Sequence, residues 1–109
     1  MLFLTYWELN EKMPVDQRMG IVEHLTSSGL FPPENVNIVR WDSTPDGWGI
    51  LLAEADNAAD ISRAVNMWRV AGDGFFTITK TSPVLPVKEA VESTTELLKS
   101  LSGLPQKEV

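Results

Sequence analysis

Leu2-Phe3-Leu4-Thr5-Tyr6-Trp7-Glu8-Leu9 is the stretch on which the fold turns. Its short length and its aromatic and branched content predict a β-strand. Alternation along a strand sends Leu2, Leu4 and Tyr6 to one side and Phe3 and Trp7 to the other. Both sides are therefore apolar, whereas an antiparallel strand with one wet face alternates apolar with polar. Ile50-Leu51-Leu52-Ala53 repeats the pattern, with Ile50 and Leu52 opposed to Leu51 and Ala53. A sheet built from these segments needs cover on both faces.

Around these strands the remaining elements follow from local signals. Pro14 suits the first position of a helix, and Val15, Met19, Val22 and Leu25 recur at helical spacing until Gly29 offers a stop. Pro32-Pro33 predicts an extended connection. Two strand-like runs, Val36–Asp42 and Trp48–Ala55, are joined by Thr44-Pro45-Asp46-Gly47, which fits a type I turn. Asp56 or Asn57 can cap a second helix carrying Ala58, Ile61, Val65 and Trp68 on its apolar stripe. Gly72-Asp73-Gly74 breaks that helix and Phe75–Thr81 alternates as a fourth strand. Beyond Pro83 and Pro86 a last helix places Val87, Ala90, Val91, Thr94, Leu97, Leu98 and Leu101 along one side. Thr81–Pro86 reads as a linker, and the tail from Gly103 is expected to fray.

The order strand, helix, strand, strand, helix, strand, helix predicts an α+β fold. It is a ferredoxin-like βαββαβ sandwich with a four-stranded antiparallel sheet and an added C-terminal helix. The expected domain is single, residues 1–102. Both crossover helices lie on one side of such a sheet, leaving the other apolar face bare. Each ~100 Å² of apolar surface removed from water is worth roughly 2.5 kcal/mol, so a bare face is an association surface. Two covers are available: the sheet of a second subunit, or the last helix folded back within the chain. The homodimer is the preferred reading.

Composition narrows the function classes. The 109-residue chain has no cysteine, which excludes disulfides and thiolate chemistry, and its single histidine argues against a histidine-rich metal site. A net charge of -6 repels phosphate backbones and anionic membrane surfaces, so neither nucleic acid nor membrane is an expected partner. With no membrane-length apolar run and no secretory leader pattern, a cytoplasmic location is expected. No cofactor and no metal are expected.

Tyr6-Trp7-Glu8, Pro32-Pro33 before Val36, Arg40-Trp41-Asp42, Gly47-Trp48-Gly49, Glu54-Ala55-Asp56 and Ser82-Pro83-Val84 occur in an order and spacing that resemble a bacterial family. That family is a domain of unknown function in the dimeric α+β barrel superfamily, and the similarity runs over about residues 1 to 86. The resemblance implies a homodimer in which two four-stranded sheets close one barrel. The superfamily includes cofactor-independent monooxygenases, isomerases and haem enzymes, with pockets usually between sheet and helices, so fold alone does not supply function.

Candidate site residues come from the hairpin. With a four-residue turn, Asp42 faces Gly49, Arg40 faces Leu51 and Ile38 faces Ala53 on one side, while Trp41, Trp48, Val39, Ile50 and Leu52 take the other. Arg40 can hold a ligand carboxylate in a bidentate geometry, and Asp42 can orient it or act as a base. The bland alternative is an Arg40–Asp42 ion pair at an edge strand or dimer seam. Trp7, Trp41 and Trp68 are candidate ligand-lining residues, with core packing as the alternative. His24 can shuttle a proton or ligate haem, the bland alternative being an exposed, idle side chain on a helix flank. Met19 and Met67 can line an apolar ligand site, but their helical spacing makes the core their expected place. Gly20, unusual inside a helix, suggests close approach to the sheet or a ligand. Glu8 and Glu54, ending strands expected to be neighbours, can share a proton or be solvated at the rim.

These readings favour a homodimer that binds a small apolar or aromatic ligand in a pocket lined by tryptophans and Arg40. Cofactor-independent oxygenation or isomerisation is the chemistry the resemblance allows, and whether the chain is an enzyme stays open. The competing reading is a non-catalytic regulatory or assembly subunit acting through its acidic exterior or its last helix.

Overall fold

The computed structural model describes residues 1–103. Its elements are β1 (Leu2–Leu9), α1 (Val15–Ser27), β2 (Asn37–Ser43), β3 (Trp48–Glu54), α2 (Ala58–Ala71), β4 (Phe76–Pro83) and α3 (Val87–Ser102). The four strands form one antiparallel sheet in the order β2-β3-β1-β4. This is the ferredoxin-like α+β arrangement. β4 runs two residues further than Thr81, so only Val84–Pro86 connects it to α3. The expected frayed tail beyond Gly103 lies outside the described residues.

One sheet face is covered by α1 and α2. Phe3, Trp7, Leu51 and Ala53 point there and join Leu25, Ile61, Ala64, Trp68 and Phe75 in the buried core. Asn57 caps α2, its side-chain oxygen accepting from the Asp60 amide at 3.0 Å, and satisfies one of the first-turn donors. The opposite face carries Leu2, Leu4, Tyr6, Ile50 and Leu52, all half-buried, with Trp48 exposed among them. Helix α3 does not fold over that face, for none of its residues is buried. Its stripe of Val87, Val91, Leu97, Leu98 and Leu101 is exposed.

Several expectations need correction. On α1 the packed line is Ile21, Val22 and Leu25, whereas Val15 and Met19 are exposed. Nothing lies within 4 Å of a side chain built on Gly20, so no close approach requires that glycine. Pro32-Pro33 turns instead of running extended: the Phe31–Pro32 bond is cis, and the Val36 amide donates to the Pro33 carbonyl at 3.0 Å. Glu8 pairs with Trp48 while Glu54 pairs with Leu2. Antiparallel pairing thus sets the two carboxylates at opposite ends of the ladder, and they cannot share a proton.

Candidate functional site

The hairpin decides which side chains reach the helix-covered face. Gly47 adopts φ +77°, the left-handed region open to glycine. Its amide donates to the Thr44 carbonyl at 3.3 Å, and the Thr44 amide donates to the Trp48 carbonyl at 2.8 Å. The loop is therefore the three-residue Pro45-Asp46-Gly47, a type I turn followed by a left-handed glycine. It sets Ser43 opposite Gly49, Asp42 opposite Ile50, Trp41 opposite Leu51 and Arg40 opposite Leu52. A bulge at Val39 then restores the expected pairing of Ile38 with Ala53.

A one-residue shift exchanges the faces of every side chain between turn and bulge. Trp41 moves to the helix side, and Arg40 and Asp42 move to the open face. There the Arg40 guanidinium donates to the Asp42 carboxylate, an ion pair between side chains 71% and 46% exposed. His24 stands apart again, exposed on α1 at a shallow groove toward Arg63, Met67 and Val70 of α2. Of the six sequence candidates, the structure brings together Trp7, Trp41 and Trp68.

These three come from β1, β2 and α2 and converge on a narrow slot between sheet and α2, with Phe31 from the α1–β2 loop and Phe76 from β4. Phe31, Trp41 and Trp68 form a mutual edge-to-face set, with ring centroids 5.3 Å (Phe31–Trp41), 5.3 Å (Phe31–Trp68) and 5.6 Å (Trp41–Trp68) apart. Trp68 also meets Phe76 at 5.9 Å, and Phe76 meets Trp7 at 5.8 Å. Such tilted contacts align ring edges with ring faces and favour a fixed arrangement. Trp41 is the exception in burial: on an edge strand and 40% exposed, it closes the slot toward solvent.

The slot measures about 30 Å³, room for about two water molecules at ~10–15 Å³ each. Its polar groups are few. Buried Thr5 shares a hydrogen bond of 2.9 Å with Thr81. Thr79, across the ladder from Trp7, accepts from the Arg69 guanidinium. The Trp7 Nε1–H is buried and has no hydrogen-bond partner among the described residues. No lining side chain is a carboxylate, a histidine, a lysine or an arginine, so the walls supply shape and aromatic faces, with no general base among them.

Sequence reasoning missed Phe31, Thr5, Thr79 and Phe76 as slot residues. Phe31 was legible as an aromatic residue in a loop, just before two prolines. The threonines had a weaker signal, hydroxyls on the side of each strand that faces the helices. On the open face, the Tyr6 hydroxyl donates to Glu8 at 2.9 Å. That hydrogen bond, then desolvation and the Glu8 charge, raises the phenol above its ordinary value of 10.0. Among the described residues no group of three or more His, Asp or Glu side chains could hold a metal ion, and no helix is long and apolar enough to cross a membrane.

Two solved structures are similar to the chain at low identity. One, from Streptomyces coelicolor A3(2), the protein SCO4226, is 16% identical with a TM-score of 0.46, covering 79% of this chain and 100% of that one. The other, a microcompartments protein from Desulfitobacterium hafniense DCB, is 13% identical with a TM-score of 0.49. The match to the latter takes in 100% of this chain and spans only 52% of that protein. None of the curated proteins matches the chain. The profile of one family, DUF3303, a domain of unknown function, matches residues 1–98.

Proposed function

Because the chain belongs to the DUF3303 family, whose function is unknown, its role has to come from its own geometry, and we propose that it is a homodimeric protein that binds a small, flat, apolar or aromatic ligand in the slot between sheet and α2. The observation that carries this reading is the convergence of Trp7, Trp41 and Trp68 from three separate elements on one crevice. A core needing only to be filled would use aliphatic side chains as readily. Small-molecule sites are lined mainly by hydrophobic and aromatic side chains of this kind. At about 30 Å³ the slot is smaller than an aromatic ligand, so binding requires Trp41, 40% exposed on edge strand β2, to move outward. The walls carry no group that titrates near neutrality, so the proposal stops at binding: isomerisation by proton transfer has no base there.

The homodimer rests on the open sheet face. Leu2, Leu4, Tyr6, Ile50 and Leu52 cluster on it with no helix over them, and a second copy presenting the same face would remove this surface from water. Native mass spectrometry of freshly purified protein tests both parts at once. A dimer mass with a retained small molecule is expected. A bare monomer, unchanged after incubation with naphthalene, would overturn the reading.

A second reading is favoured by α3, whose exposed apolar stripe is the form of a helix that docks into a groove. On that reading the chain is a regulatory or assembly subunit. Leu98→Glu with Leu101→Glu, in the full-length chain, should then abolish capture of its partner and leave aromatic binding intact. Retained capture would count against it.

A further inference from the structure

Strand β4 lies at the edge of the sheet, with β1 on one side only. The ladder fixes which of its backbone groups are left unpaired. The Val84 amide donates to the Leu2 carbonyl at 2.9 Å, so in antiparallel alternation Ser82, Lys80 and Ile78 bond to Leu4, Tyr6 and Glu8. Thr81 and Thr79, opposite Thr5 and Trp7, therefore turn their N–H and C=O groups away from the sheet. Pro83, which has no N–H, closes this open stretch. Such a row of unpaired groups is a template for another strand. The opposite edge, β2, is interrupted by its bulge at Val39.

Charge decides what kind of strand fits. An open groove of about 560 Å³ runs beside β4 from Gly72 to Lys80. Arg69 of α2 lines it and is held at the edge, its guanidinium donating to Asn66 Oδ1 at 3.1 Å and to the Thr79 hydroxyl. The remaining N–H groups of the fork are the natural partners of a carboxylate. Among the described residues the one ion pair is Arg40–Asp42, so neither Arg69 nor Lys80 has a carboxylate on it. The groove's own carboxylate, Asp73, lies in the turn before β4 begins. We infer that β4 is a docking edge for an extended segment of another protein carrying two successive acidic residues. Successive side chains of a strand point to opposite faces. One carboxylate, opposite Thr79, meets Arg69 on the helix side, and the next, opposite Lys80, meets that ammonium group on the open face. Backbone pairing supplies the adhesion and the charges choose the partner. A second copy does not fit, because antiparallel pairing of β4 with itself about Lys80 sets the two lysines directly opposite each other. The edge is separate from the aromatic slot, so the inference stands whether or not the slot takes a ligand.

The probe is a blocked hexapeptide, acetyl-Thr-Val-Glu-Glu-Val-Thr-amide, titrated into the full-length protein and followed by its backbone amide resonances. The amide protons of Thr79 and Thr81 are expected to move downfield and gain protection from exchange, with those of β2 unchanged. Replacing both glutamates of the peptide by glutamine should weaken binding about tenfold, the scale of lost hydrogen bonds to charged groups. Arg69→Gln should weaken the glutamate peptide and leave the affinity of the glutamine peptide as it was. Methylating the peptide's backbone nitrogens should abolish binding. The two peptides are compared on the wild-type chain, so that comparison holds whatever Arg69→Gln does to stability. Equal affinity of the two, binding that survives backbone methylation, or no shift at Thr79 and Thr81 up to millimolar peptide would each overturn the inference. Shifts of the same amides with protein concentration alone would place a second copy at the edge and overturn it too.

Discussion

Gly49→Ala perturbs the joint on which the slot is built. A methyl group at residue 49 would meet the Asp42 carbonyl oxygen, Trp7 Cζ2 and Trp7 Cε2, and the mildest of these overlaps leaves 2.7 Å where ordinary contact begins at 3.4 Å. Two of the three neighbours belong to a packed indole and the third to the backbone of β2, so none yields cheaply. Overpacking of this kind costs ~1–3 kcal/mol, and the upper end applies because the backbone must shift. With an unfolding entropy of ~2.1 cal/mol/K per residue, a 109-residue chain loses about 13 °C in Tm for ~3 kcal/mol. Gly20→Ala is the matched control: nothing lies near its Cβ, and replacing a mid-helix glycine gains ~0.5–1 kcal/mol, about 2–4 °C. Thermal unfolding by far-ultraviolet circular dichroism measures both, and the near-ultraviolet tryptophan bands report whether Trp7 has moved. A Gly49→Ala protein melting at or above the wild-type temperature would refute the reasoning.

Other perturbations should behave as follows. Trp68→Ala, which removes the ring at the centre of the aromatic set, should cost ~3–5 kcal/mol in denaturant unfolding; a loss below 1 kcal/mol would show that the slot walls are not a packed unit. Arg40→Ala should change stability by no more than ~0.5 kcal/mol, since its ion pair is exposed, and should leave aromatic binding unchanged from the far side of the sheet; a tenfold loss of binding would contradict that placement. Tyr6 is the chain's single tyrosine, so its ultraviolet titration is unambiguous. Its folded value is raised, so the stabilisation from the Glu8 hydrogen bond is present below pH 10.0 and disappears as pH climbs through that raised value. The midpoint should lie above 10.0 and fall in Glu8→Gln; a wild-type midpoint at or below 10.0 would exclude the bond.

Much of the fold was legible because strong local signals agreed. The two-faced pattern of residues 2–7, the prolines at 14, 45 and 86, and the Asn57 cap each name an element, and together they name the βαββαβ order. The site was harder, because it depends on single-residue geometry. Whether Trp41 or Arg40 faces the helices is settled by the turn at Gly47: a three-residue loop with a left-handed glycine gives one answer and a four-residue loop the opposite. The Pro45-Asp46-Gly47 tripeptide carried that information, since a glycine closing a type I turn is the usual left-handed position. The bulge at Val39 had no comparable signal. On α1 the spacing of Val15, Met19, Val22 and Leu25 was genuine helical periodicity, yet the sheet is met by the neighbouring line through Ile21. Helix periodicity names a stripe and does not choose between adjacent ones when both are apolar.

The four tryptophans supply the most direct test of the ligand site, because three line the slot and Trp48 lies on the opposite sheet face. Naphthalene is titrated into the protein while the four indole N–H resonances, assigned by single substitution, are followed by nuclear magnetic resonance. Saturable shifts of Trp7, Trp41 and Trp68 with Trp48 unmoved are the expected result. Shifts confined to Trp48, or none up to the solubility limit of the probe, would contradict the placement of the site between sheet and α2.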